Sequence, residues 1–192
     1  VFLFLIGGEE SFGLSKGTYV RDKDGAAGAL VLAEYAAELK ASGKTLWDRM
    51  LELYAEHGLY LERLDTMVCP GAEGFEQMMQ IMKSFREKAP AQIDGKNVTA
   101  VLDYMTLIRT DLTSGVESSI DCIKGNVIVF EFGANERRVT IRPSGTEPKL
   151  KFYVQWHENS QNVATDYDTL SQQLENISRE LEGIAFKRVA GL

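Results

Sequence analysis

Hydrophobic spacing changes several times along the 192-residue chain, and each change marks an element. Residues 1–6 (VFLFLI) form a continuous apolar run bounded by Gly7-Gly8, which predicts a buried strand. A glycine-rich polar loop follows through Asp24. Residues 25–42 are rich in Ala and Leu and end at Gly43, a helix with a glycine stop. Thr45 stands three residues before Asp48, close to a capping box, and predicts a helix to about His57 that stops at Gly58. Residues 60–68 read as extended, and Cys69-Pro70-Gly71-Ala72-Glu73-Gly74 breaks the pattern as the link to a second unit. From 75 to 88, Phe75, Met78, Met79, Met82 and Phe85 recur at three- and four-residue spacing, an amphipathic helix closed by Pro90. Its methionines read as core filler. Beyond Pro90 the period moves toward two, with strands expected near 98–102, 107–112, 126–132, 138–142 and 150–156. A helix over about 163–182 closes the chain, with Leu170, Leu174, Ile177, Leu181 and Ile184 as its apolar stripe.

This order predicts two units with no internal repeat. Residues 1–70 read as part of an α/β domain, and residues 71–192 as an α+β domain, an antiparallel sheet packed by helices. Hydrophobic residues at 44% and charged residues at 26% are ordinary for a globular protein, which excludes disordered, collagenous and coiled-coil classes for the whole chain. No apolar run approaches the roughly 20 residues that a membrane span needs. The apolar opening is too short for a signal peptide and has no basic segment before it. Chain termini are usually exposed and frayed, so an opening inside a strand reads as the edge of a longer protein.

Charge and cysteine usage narrow the function classes. A net charge of -7 argues against a general nucleic-acid binder. Cys69 and Cys122 cannot staple a fold of this size, so a reducing cytoplasm is the default and both thiols read as buried filler. His57 and His157 have no partner at metal-ligand spacing, and His57 suits a helix C-terminus.

Three segments carry candidate chemistry. Arg142-Pro143-Ser144-Gly145-Thr146-Glu147-Pro148-Lys149 joins two expected strands and should project from a sheet end. Gly145 would free the backbone so that successive N–H groups form an anion-binding concavity. Ser144 and Thr146 add hydroxyls, and Arg142 adds a planar fork suited to phosphate. Residues 137–151 hold five Lys or Arg and one acid, a local +4, which leaves -11 on the rest of the chain. A focused positive patch on an acidic protein suits a small anionic ligand. A plain polar hairpin turn is the competing reading. The second segment, Gly7-Gly8-Glu9-Glu10-Ser11-Phe12-Gly13, follows a strand, where carboxylates and a hydroxyl can meet sugar hydroxyls, or simply form a solvated turn. It has neither a Walker nor a dinucleotide pattern. The third, Arg21-Asp22-Lys23-Asp24-Gly25, lacks the spaced acids of a calcium loop. Asp24 instead reads as a helix cap, with Arg21 and Lys23 at its entrance facing a ligand, or as a charged capping segment.

Taken together and in this order, GGEESFG, RDKDG and RPSGTEPKLKFYV resemble the α-D-phosphohexomutase family, the phosphoglucomutases and phosphomannomutases. The resemblance spans nearly the whole chain. It implies the later part of the family's third domain over residues 1–70 and its fourth domain over residues 71–192. It implies that Glu9 and Ser11, with Glu10 between them, hold the hexose hydroxyls, and that Lys23 and Arg21 line the cleft beside that loop. Arg142, Ser144, Gly145 and Thr146 would grip the substrate's phosphate, and Lys149 and Lys151 stand where some relatives place a further cation. The family moves phosphate between the C1 and C6 oxygens of a hexose through a bisphosphorylated sugar, using a phosphoserine and Mg²⁺ in its first two domains. The Ser-His-Asn-Pro and Asp-Gly-Asp-x-Asp-Arg motifs that carry that chemistry are absent from these 192 residues. No catalytic residue or metal ligand is therefore expected here. The resemblance implies a phosphosugar substrate and N-terminal domains of the same protein, while the acidic charge and the short apolar runs speak against a nucleic-acid or membrane partner. A non-catalytic phosphate- or anion-binding module is the alternative.

Overall fold

The computed structural model describes residues 4–8, 13–19, 22–133 and 136–190, and the chain divides into two compact units, Val1–Leu53 and Tyr54–Leu192. In the first, β1 (Ile6–Gly8) pairs antiparallel with β2 (Leu14–Lys16). Helix α1 (Gly25–Ala41) starts as the sequence predicts, because the Asp24 carboxylate accepts the Ala27 N–H at 3.0 Å. Its end is a Schellman turn: Lys44 N–H donates to Leu39 O at 2.9 Å and Gly43 N–H to Lys40 O at 3.0 Å. Gly43 has φ +75°, so the glycine stop is a conformational requirement. Helix α2 (Leu46–His57) opens with a reciprocal box, Thr45 N–H to Asp48 Oδ2 at 2.7 Å and Asp48 N–H to Thr45 Oγ1 at 3.1 Å.

The opening strand differs from expectation. Residues 1–3 lie outside the described residues, pairing begins only at Ile6, and Phe4, Leu5 and Ile6 are 45%, 68% and 55% exposed. Among the described residues of this unit only Leu39 is buried. A two-stranded ribbon supplies no second layer to cover the apolar run. Strand β2 falls in the segment expected to be loop, because three residues rich in polar neighbours carry no legible period.

In the second unit β3 (Leu59–Val68) leads to α3 (Gly74–Glu87). A small hairpin follows, β4 (Gln92–Ile93) with β5 (Lys96–Asn97). Then come β6 (Ala100–Asp103), β7 (Ile108–Asp111), β8 (Glu117–Ser119), β9 (Ile128–Glu131), β10 (Arg138–Pro143) and β11 (Lys149–Glu158). Helix α4 (Val163–Ala190) ends the chain. Seven strands form one antiparallel sheet in the order β3-β11-β10-β9-β6-β7-β8. Met78, Ile81, Met82 and Phe85 of α3 and Leu170, Leu174, Ile177 and Leu181 of α4 close over Phe130, Val139, Ile141, Phe152 and Val154 of the sheet. Period-two burial along β10 and β11 turns those apolar side chains to the helices and leaves the alternate positions on the open face.

The expected division after residue 70 lies later than the one the contacts make. Strand β3 pairs along its full length with β11, from Leu59 opposite Glu158 to Val68 opposite Lys149, so it is an edge strand of the second unit's sheet. Residues 69–74 are accordingly a turn from β3 into α3 rather than a link between units. Helix α4 also runs on to Ala190, past the expected 182, because Ala185 continues the buried stripe and Arg188 stacks 4.4 Å from the Phe85 ring while donating to Lys88 O at 2.7 Å. The filler reading holds for Met78 and Met82, both fully buried, and for Cys69, whose thiol burial pushes up. It fails for Cys122, which is exposed in the β8–β9 connection. It also fails for Met79, at 38% exposure, and Phe75 of the same apolar spacing is 53% exposed. Among the described residues no helix is long and apolar enough to cross a membrane.

Candidate functional site

The loop between β10 and β11 is anchored on both sides by core residues, Ile141 and Leu150, each fully buried. Its base is closed by Ser144 N–H donating to Lys149 O at 2.9 Å and Lys149 N–H donating to Glu147 O at 2.8 Å. Thr146 N–H reaches Ser144 Oγ at 3.5 Å. Gly145 and Thr146 are exposed, and Ser144 is half-buried. The loop therefore projects from the sheet end as its sequence predicts.

Pairing sorts the local cations. Arg137 pairs with Glu158 and donates to His157 O at 3.0 Å, and Lys149 pairs with Glu147. Arg138 donates to the neutral Gln155 Oε1 at 2.9 Å. Lys151 sits 6.0 Å from the Tyr153 ring. Among the described residues Arg142 has no side-chain hydrogen bond or ion pair, and in register it stands opposite Lys151. Of the five cations behind the +4, three have no acidic partner among the described residues, and two of these, Arg142 and Lys151, stand opposite each other beside the loop.

Gly145 corrects part of the sequence argument. Its φ lies outside the left-handed region, so no unusual dihedral explains the glycine. A Cβ there would meet nothing within 4 Å.

A groove of about 430 Å³ opens between this loop and the start of α3. Arg142, Ser144 and Gly145 form one side, and Phe75, Met79 and Asn126 line it as well. Thr146 and Lys149 share the loop without lining the groove. Cys69 N–H donates to Pro148 O at 2.8 Å and fixes the β3–α3 turn to the loop. The Asn126 carboxamide is held by Arg86, whose Nη2 donates to Asn126 Oδ1 at 2.6 Å while its Nε donates to Asp103 Oδ1 at 3.0 Å. The sequence reading placed Phe75 and Met79 in the core and did not single out Asn126. The available signal was the width of the apolar stripe on α3, where Phe75 and Met79 form an i, i+4 row of their own.

In the first unit Lys23 is exposed and directly precedes the cap of α1. The Ala27 N–H and then the Tyr19 hydroxyl, which donates to Asp24 Oδ2 at 3.2 Å, hold the Asp24 carboxyl below its usual range. That carboxylate is committed to the cap. Glu9, Glu10, Ser11 and Arg21 lie outside the described residues. Among the described residues no three His, Cys, Asp or Glu side chains converge to hold a metal ion, so the donor set for Mg²⁺ is not met by them.

Two family models match the chain. Residues 3–57 match the alpha/beta/alpha domain III of phosphoglucomutase/phosphomannomutase, and residues 82–167 match the phosphoglucomutase/phosphomannomutase C-terminal domain. A phosphoglucomutase of Staphylococcus aureus (strain MRSA252) is 37% identical over 166 residues, 86% of this chain and 29% of the relative. One from Staphylococcus haemolyticus (strain JCSC1435) is 38% identical over 164 residues, 85% of this chain and 30% of the relative. The open form of parafusin, a phosphoglucomutase from Paramecium, superposes with a TM-score of 0.48 at 21% identity, over 88% of this chain and 30% of that one. That score is too low to establish a shared fold, and the relationship rests on the sequence matches. The chain spans about 30% of the length of the curated relatives it matches.

Proposed function

This chain belongs to the phosphoglucomutase/phosphomannomutase family, and we propose that it supplies the substrate-gripping part of a phosphohexomutase. The observation that carries the reading is Arg142, unpartnered among the described residues and lining one groove with Ser144, which brings a hydroxyl, and Gly145, which brings a backbone N–H. A guanidinium fork with convergent donors suits a phosphate monoester. Gly145 has room for a side chain in this fold, so its missing Cβ is best used by a ligand approaching the backbone. Glu9 and Ser11 would hold the sugar hydroxyls, with Arg21 and Lys23 as neighbouring cations and Thr146 and Lys149 supporting the clamp.

The parent enzyme would interconvert hexose 1-phosphate and hexose 6-phosphate through a bisphosphorylated sugar. A phosphoserine P–O bond breaks as one forms to a sugar oxygen, the sugar reorients, and the other phosphoryl returns to the serine. The serine, and the ligands of the parent's metal, would come from domains outside these residues, so the chain by itself would be inactive. Its own part is to hold the substrate in two opposite orientations.

Titrating the chain with inorganic phosphate and with glucose 1-phosphate, followed by amide NMR shifts, tests the clamp. Both ligands should shift residues 144–146. Arg142→Ala should weaken both on the order of tenfold to a hundredfold, the worth of a charge-assisted hydrogen bond. Unchanged affinity in that variant overturns the assignment.

A further inference from the structure

We propose that the groove beside the phosphate loop reads the sugar body of the ester, with Phe75 as a stacking wall and Asn126 as a fixed hydrogen-bond donor. The inference rests on the phosphate-clamp reading above and goes beyond it, since the clamp alone accepts any phosphate ester.

Helix α3 packs Met78, Ile81, Met82 and Phe85 at 1% exposure or less, yet Phe75 is 53% exposed and Met79 38%. The two stand one turn apart and line the same groove as Arg142, Ser144 and Gly145. Large apolar side chains left open beside convergent polar groups are the composition of a small-molecule site. The groove's volume of about 430 Å³ falls within the range of about 300–1,000 Å³ typical of such sites. A phosphate on the loop therefore leaves space for its organic part against the apolar wall.

Asn126 gives that wall a polar reader. Arg86 donates to the amide oxygen and is itself held by Asp103, the two side chains each being 18% exposed. The amide nitrogen is left 3.7 Å from Met79 Sδ, a weak acceptor. A ligand hydroxyl would be a better one. An aromatic face, a fixed N–H donor and a cation at one end together fit a pyranose phosphate, whose ring presents C–H faces between hydroxyls.

The test titrates inorganic phosphate, glucose 1-phosphate and adenosine monophosphate into the chain and its Phe75→Ala and Phe75→Tyr variants. Phe75 is exposed on the first turn of α3, so both variants should keep the wild-type melting temperature. Phe75→Ala should weaken glucose 1-phosphate by about three- to tenfold. It should leave inorganic phosphate unchanged, and Phe75→Tyr should retain both. Unchanged glucose 1-phosphate affinity, or an equal loss for both ligands, overturns the proposal. So does tighter, Phe75-dependent binding of the nucleotide, which would assign the wall to a base. A wild-type chain that binds no phosphate overturns the clamp reading instead.

Discussion

Gly74 lies against the Cys69 carbonyl so closely that a Cβ at position 74 would overlap the oxygen, and Pro148 Cβ would stand 3.3 Å away. The contact is with backbone, so no rotamer change can relieve it. With Cys69 N–H bound to Pro148 O at 2.8 Å, the end of β3, the start of α3 and the β10–β11 loop are joined at one point. Gly74→Ala should force them apart and destabilise the second unit by about 1–3 kcal/mol, the usual cost of overpacking. Urea denaturation measures this, and a wild-type midpoint would show that the junction yields freely.

Gly145→Ala should separate stability from binding. Alanine fits there without strain or contact, so melting should be unchanged. If phosphate lies on the loop backbone, its affinity should fall severalfold in the same variant. Intact phosphate binding would return the loop to the plain hairpin turn of the competing reading.

These two glycines show where sequence reading reaches and where it stops. The caps at Asp24 and Thr45 were legible because the acceptor and donor lie within a few residues of each other. The β10–β11 loop was legible for the same reason, as one contiguous segment between alternating strands. The place of β3 was not, because Leu59 pairs with Glu158, and nothing local to either residue encodes that register. Phe75 and Met79 have the spacing that a core stripe has, and only the packed sheet decides which row turns inward. The groove combines α3, the segment at Asn126 and the loop at Arg142, three stretches with no common local pattern. Gly145 reads as a turn glycine in sequence, and only the structure shows that its conformation does not require one.

Arg86 ties two parts of the second unit together, Asp103 at the end of β6 and Asn126 before β9. Arg86→Ala removes both hydrogen bonds and leaves a poorly exposed carboxylate without its cation. The expected loss is about 1.5–3 kcal/mol, the range for hydrogen bonds to charged groups. The Asn126 side-chain amide signals should shift in NMR spectra of the same variant. Wild-type stability would mean that Asp103 is satisfied by its remaining bonds from Met105 N–H and the Thr106 hydroxyl.

Glu182 on α4 titrates against the grain of the fold. Burial, and after it the negative charge of Asp65, push its carboxyl above the usual range, while Arg63 pulls the other way. A raised folded pKa means that the native state holds this proton more tightly than the unfolded chain does. The contribution is favourable below the ordinary carboxylate range and is lost as pH rises through the raised value. Glu182→Gln should therefore stabilise the second unit at pH 7, by no more than about 1 kcal/mol because the site is partly open to solvent. The advantage should shrink to nothing near pH 3.5, where the wild-type carboxyl is neutral as well. Asp65 behaves oppositely. Burial raises it, but the hydrogen bond from Arg63 and the charges of Arg63 and Arg179 bring it below its ordinary value. Asp65→Asn should then cost stability at pH 7 and converge on wild type in acid. Melting temperatures of the three proteins across pH 3 to 7 decide the matter, and parallel curves for Glu182→Gln and wild type would show that the charge of Glu182 has no energetic role.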